Sequence, residues 1–187
     1  MSAENKLECD VLVIGGGMAG LFAAIKAREQ KVKVILVDKG FAGRSGQTPL
    51  ASGVMVFTPE WGHQLDEVMN YINHASEYLN NREWNEIILE ESYPRYLDLV
   101  SWGVEFVKDA DGQPARFIDS WGVTESLHMI DSAMYTGFSK QNNHAYLLRK
   151  HALKIGVKIL DRIMVIDLLK QAGRIVGAVG ITGESSD

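Results

Sequence analysis

The stretch VLVIGGGMAGLFAAIKAREQKVKVILVDKG, residues 11–40, constrains the chain more than any other. It reads as an apolar strand, a glycine turn, a helix and a second apolar strand ending in an acid, a βαβ unit over roughly Cys9 to Lys39. Gly15, Gly17 and Gly20 satisfy GxGxxG between the strand DVLVIG and the helix AGLFAAIKA. The first glycine permits a tight turn, the second lets backbone approach a pyrophosphate, and the third allows the helix to pack closely on the strand. The helix N-terminus then aims free N–H groups and a positive dipole end at phosphate. Asp38 follows Gly20 by 18 residues, the spacing at which a carboxylate meets the ribose hydroxyls of an adenosine half. A 2′-phosphate would be repelled by Asp38, which disfavours NADP. The unit is expected to bind a dinucleotide through Gly15, Gly16, Gly17, Met18, Ala19, Gly20 and Asp38. The fingerprint alone does not separate FAD from NAD.

A chain of 187 residues has room for one domain with a real core, or little more. The net charge of −5, with no basic stripe interleaved by aromatics, gives no reason to expect nucleic acid. No apolar run approaches the roughly 20 residues that span a bilayer, since Lys26 and Arg28 soon follow the first strand. The N-terminal MSAENKLECD has no apolar core of a secretory signal, and Cys9, the single cysteine, has no internal partner for a disulfide. The expected location is cytoplasmic. Between Glu60 and Glu91 acids far outnumber bases, which reads as a solvated helical face or, less directly, a docking surface for a basic partner.

Beyond Asp38 a glycine-rich loop runs from Gly40 to Gly53. Two helices follow, one over Gln64 to Tyr78 and one from near Asn81 to Trp102. The second is signalled by capping-box spacing of Asn80 and Glu83 and stopped by Gly103. Pro94 should kink or divide it. VEFVKDADGQPARF reads as a small hairpin turning at Asp111-Gly112, and Ser139 to Lys154 as a helix ended by Gly156. Three strand-like runs close the chain, VKIL, RIMVIDLLKQ and RIVGAVGIT, the last two joined at Gly173. The expected fold class is α/β: a Rossmann-like FAD-binding domain with a parallel sheet, a helical excursion and a partial β-meander, read as incomplete.

The segment DKGFAGRSGQTPLASGV resembles the loop after the second strand in flavoprotein subunits of succinate dehydrogenase and fumarate reductase, a family that includes L-aspartate oxidase and the adenylylsulfate reductase alpha subunit. The matching residues are Asp38, Lys39, Gly40, Arg44, Ser45, Gly46, Thr48 and Gly53. The resemblance implies a loop that wraps the pyrophosphate of FAD and passes beside its isoalloxazine ring. Downstream, YLDLVSWGVEFVKDADGQ and the run from Thr136 through the last strands are similar to the family's later segments, which would bring backbone near Val165 to the adenine edge. Many members tether FAD through a histidine in a Ser-His-Thr step. This chain has Gln47 there, just before Thr48, so the resemblance implies FAD held non-covalently.

The family's third meander strand, its final Rossmann strand, its capping domain and its C-terminal segment have no counterpart in these residues. Residues 1–187 therefore read as the N-terminal portion of an FAD-binding domain with no catalytic residue to carry over. Three origins follow, in this order: a truncated flavoprotein oxidoreductase, a subunit completed by another chain or by an electron-transfer partner, or a non-catalytic nucleotide-binding module. An NAD-linked enzyme ranks below these. His63, His74, His128, His144 and His151 show no metal-ligand spacing, and Ser45 and Ser52 lack a nucleophile elbow. Trp61, Trp84, Trp102 and Trp121 read as packing residues.

Overall fold

Short β-branched and leucine-rich runs bounded by polar residues set the sheet. β1 (Val11–Ile14) and β2 (Val34–Val37) flank α1 (Met18–Glu29). β3 (Gly53–Val56), α2 (Leu65–Ala75), α3 (Arg82–Ser101), β4 (Arg116–Ile118) and β5 (Asp131–Met134) come next, followed by α4 (His144–Lys154), β6 (Lys158–Leu160), β7 (Ile163–Gln171) and β8 (Arg174–Thr182). This computed structural model describes residues 6–51, 53–108, 110, 112, 116–118, 131–134 and 144–182. The chain divides into two compact units, Met1–Leu50 with Ser139–Asp187, and Ala51–Phe138.

In the first unit β2 lies between β1 and β6, all parallel. Its four residues, Val34 to Val37, are all buried, as expected of a central parallel strand covered on both faces. Leu21, Ala24 and Ile25, at i, i+3 and i+4, form the buried stripe of α1. α4 buries Ala145, Leu148 and Ala152 and packs beside α1. The Arg28 guanidinium on α1 donates to the carbonyls of Ile155 (2.9 Å) and Val32 (3.2 Å), tying the helix to both flanking connections. The expected parallel sheet and βαβ unit are thus present. So is the partial meander: β7 and β8 form an antiparallel ribbon joined at Ala172 and Gly173, with φ of 49° and 78°. Two consecutive positive φ values make the tight turn whose twist suits a hairpin. This separate ribbon is tied at its start to the segment after β2, through Ile163 N–H to Asp38 O (2.9 Å) and Arg162 N–H to Gly40 O (2.8 Å).

In the second unit β3, β5 and β4 form an antiparallel sheet in that order. Phe57, Val68, Met69, Tyr71 and Leu89 make its core, with Leu65 and Ile72 packed against it. α2 ends at Ala75, three residues before the expected limit, because the chain turns left-handed at Glu77 and Tyr78 (φ 51° and 63°). α3 is capped by Asn81, whose side chain accepts from Trp84 N–H at 3.0 Å. The expected Asn80 cap is incorrect: its amide donates instead to Ser76 Oγ. Nor does Pro94 divide α3, which runs unbroken from Arg82 to Ser101. Pro94 and Glu90 are both exposed, so water can take the carbonyl that proline leaves without a donor. Of the expected hairpin, Asp111 lies outside the described residues. Gly112 has φ +77°, and β4 pairs with β5. Likewise the stretch 139–143, expected to open the next helix, lies outside the described residues, as do Ser52, Trp121 and His128.

Candidate functional site

The first unit brings the βαβ turn, the end of β2 and the following loop to one place. Gly15 sits at φ +101°, where a side chain would strain the backbone, and its N–H donates to Val37 O at 2.8 Å. A Cβ on Gly20 would overlap the carbonyl oxygen of Gly15, so helix and turn touch backbone to backbone. Gly17 is different: a Cβ there would meet only Thr48 Oγ1, at 3.4 Å. Gly17 is the N-cap of α1, without a side-chain cap and with no acid in the first helical turn. The first N–H groups of a helix lack intrahelical acceptors, and here the Met18 N–H finds Thr48 Oγ1 at 2.9 Å. Ala19 is exposed on the same turn.

Gly16 is held on three sides. Its N–H donates to Asp38 Oδ2 (2.6 Å), its carbonyl accepts from Gly43 N–H (2.9 Å), and a Cβ on it would overlap Ala42. Asp38 also accepts from Gly40 N–H through Oδ1 at 2.7 Å. Each carboxylate oxygen keeps a further lone-pair site, so the acid that organises the two glycine segments can still accept from hydroxyl groups. Its dual commitment is something the spacing argument did not reveal.

The loop after β2 is not uniformly turned toward the glycines. Ser45 Oγ accepts from Phe41 N–H and donates to Phe41 O, both at 3.0 Å, closing the loop on itself. The Arg44 guanidinium lies 5.5 Å above the Tyr146 ring. Lys39, Gly46 and Gln47 are exposed, and the Gln47 carbonyl accepts from Leu50 N–H at 2.9 Å. Gly53 belongs to the second unit, where it opens β3 and pairs with Met134. Val165 pairs with Gly180 beside an irregularity in the β7–β8 register.

Sequence reasoning missed four residues that build this place: Ala42, Gly43, Arg149 and Asp161. Arg149 grips Asp161 in a two-pronged ion pair, Nη1 to Oδ1 at 2.8 Å and Nη2 to Oδ2 at 2.7 Å, with side chains only 16% and 20% exposed. Burial alone would raise the Asp161 carboxyl. The hydrogen bonds from Arg149 and Ala42, with the charges of Arg149 and Arg44, outweigh it and hold the group below the usual carboxylate range. A carboxyl depressed by folding stabilises the native state above its unfolded value, about 4, and loses that contribution as pH falls through the folded value. Asp161→Asn should therefore cost about 1–2 kcal/mol at neutral pH, and the deficit should shrink in acid. Urea unfolding between about pH 7 and pH 3 measures both.

His144, at the start of α4, is pushed below its ordinary value by burial, against an opposing hydrogen bond with the Thr48 backbone. His63 Nδ1 accepts from Thr58 N–H at 3.0 Å and stacks on Phe57, a packing role in the second unit. Among the described residues no group of three or more His, Cys, Asp or Glu is placed to hold a metal, and no helix is long and apolar enough to cross a membrane.

A family model described as FAD binding domain matches residues 10–186. The chain belongs to that family. It is similar to a fumarate reductase (CoM/CoB) subunit of Methanothermobacter marburgensis, 27% identical over 98% of this chain and 33% of the relative. It is also similar to L-aspartate oxidase of Clostridium perfringens, 25% identical over 93% of this chain and 38% of the relative. An E. coli quinol fumarate reductase superposes with a TM-score of 0.78 at 17% identity, covering 94% of this chain and 29% of that one, which carries the fold. The chain thus spans about a third of the length of the curated relatives it matches. FAD is the cofactor of this domain family, and the expected α/β architecture is that of its FAD-binding fold.

Proposed function

We propose that residues 1–187 are the N-terminal portion of the FAD-binding domain of a flavoprotein oxidoreductase of the fumarate reductase and succinate dehydrogenase type. The observation that carries the reading is the convergence of three features. These are an α1 N-terminus free of acids, a turn that leaves open space beside Gly15 and Gly17, and the Asp38 carboxylate bonded to that turn. Together they match a diphosphate with an adenosine ribose on one side. Gly15, Gly16, Gly17, Met18, Ala19 and Gly20 would face the diphosphate, and Asp38 the ribose. Lys39, Arg44, Ser45, Gly46, Gln47 and Thr48 would line the diphosphate and flavin side, with Val165 near adenine. Thr48 Oγ1 already bonds the Met18 N–H, so it stands where an acceptor is wanted.

When bound, the flavin supplies the hydride and electron chemistry; the chain's residues bind and orient it. Gln47 carries an amide where an imidazole would be needed for a covalent link, so the flavin is held non-covalently. The cytoplasm and an electron-transfer or completing partner chain fit this reading.

The test is a visible spectrum of the protein after FAD is added, excess is removed and the protein is precipitated in acid. The expected result is a flavin band retained on the native protein and released wholly to the supernatant. Colour left in the pellet would refute the non-covalent assignment, and a folded protein that retains no flavin would refute FAD binding by this chain.

A further inference from the structure

The backbone of Ala42 and Gly43 is committed in two directions. On one side the Ala42 N–H donates to Asp161 Oδ1 (2.9 Å) and the Ala42 carbonyl accepts from Arg149 Nη1 (2.9 Å), so the ion pair clasps one residue's peptide groups from both ends. On the other side Gly43 N–H donates to Gly16 O, and the Ala42 methyl fills the space beside the Gly16 α-carbon. The approach is enforced by shape as well. A Cβ on Gly43 would lie 2.5 Å from the Ala145 carbonyl, one turn before Arg149 on α4. Ala42 is fully buried, so neither of its peptide groups is readily handed to water.

We propose that Arg149 and Asp161 are positioning residues for the cofactor. Their hydrogen bonds reach Ala42 and not the turn. By fixing Ala42 and Gly43 they fix Gly16, and with it the direction of the N–H groups that open α1. A preorganised anion site loses less on binding than one that must be ordered by its ligand. A planar guanidinium suits the task because it can hold both carboxylate oxygens and a carbonyl at once, which a lysine ammonium cannot do in the same geometry. The inference rests on the reading that this turn takes the diphosphate of FAD.

Arg149→Ala, Asp161→Asn and Arg149→Lys test it with two readouts. In FAD titrations followed by flavin fluorescence, Kd should rise about tenfold for the first two and less for Arg149→Lys. In amide hydrogen exchange without FAD, protection at residues 14–17 and 41–45 should fall by about tenfold or more, with the β7–β8 ribbon unchanged. A folded variant with unaltered Kd, or unaltered protection at 14–17, would overturn the proposal. Unfolding of all three variants would also overturn it, in favour of a global structural role. If the unmodified protein binds no FAD, the functional reading fails by itself. Exchange at 14–17 then still decides whether the clasp holds the turn.

Discussion

Replacing Gly20 by alanine is expected to destabilise the first unit by about 2–3 kcal/mol, measured by urea unfolding. Alanine favours a helix over glycine by roughly 1 kcal/mol, so a simple propensity argument predicts the opposite sign. The added methyl would fall on the Gly15 carbonyl oxygen, and α1 can accommodate it only by lifting off the turn. Gly17→Ala is the informative contrast. Its Cβ meets nothing nearer than Thr48 Oγ1 at 3.4 Å, so the unfolding free energy should change by no more than about 1 kcal/mol, the scale of an N-cap substitution. Retention of FAD should nevertheless suffer, because the methyl stands where phosphate must approach. A Gly17→Ala protein that binds FAD unchanged would remove the second glycine from the binding site. A Gly20→Ala protein of native stability would contradict the backbone contact itself.

Replacing Asp38 by alanine should have two separable effects. Without ligand, the Gly16 and Gly40 N–H groups lose their carboxylate acceptor, and the protein should lose about 2–3 kcal/mol of stability, since bonds to charged groups are among the stronger ones. With ligand, lost bonds to the ribose should weaken FAD binding by about 1–3 kcal/mol, roughly 5–150-fold. Asp38→Asn keeps one acceptor oxygen and should fall between wild type and alanine on both scales. Denaturant curves of the ligand-free protein and FAD titrations of the same preparations separate the two. Reduced stability with undiminished affinity would make Asp38 a structural residue and sink the ribose assignment.

The elements with strong local signals were legible in the sequence. The glycine turn, the two apolar strands around it and the Ala172-Gly173 hairpin each depend on residues within a few positions of one another, and each formed where expected. Errors arose where neighbouring residues offered equivalent chemistry. Asn80 and Asn81 are both capable caps, and only the path of the chain after the left-handed Glu77 and Tyr78 selects Asn81. Pro94 failed to divide α3 because its own exposure allows hydration of the bond it removes. The clasp was beyond reach for a different reason. Arg149 and Asp161 meet Ala42 across 107 and 119 residues, and nothing in their local patterns sets them apart from surface charges.

That long reach has a consequence for how the protein is made. The first unit is discontinuous in sequence, its halves separated by Ala51–Phe138. As the polypeptide leaves the ribosome, β1, α1 and β2 emerge well before β6, the strand that completes the other side of β2, and before the arginine and aspartate that steady Gly16. Closing so long an excursion costs entropy that grows only slowly with its length, and a second unit already folded shortens the effective span. The turn should therefore acquire its final shape only after residue 161 has been released. Flavin loading then waits for that release and does not begin when β2 first emerges.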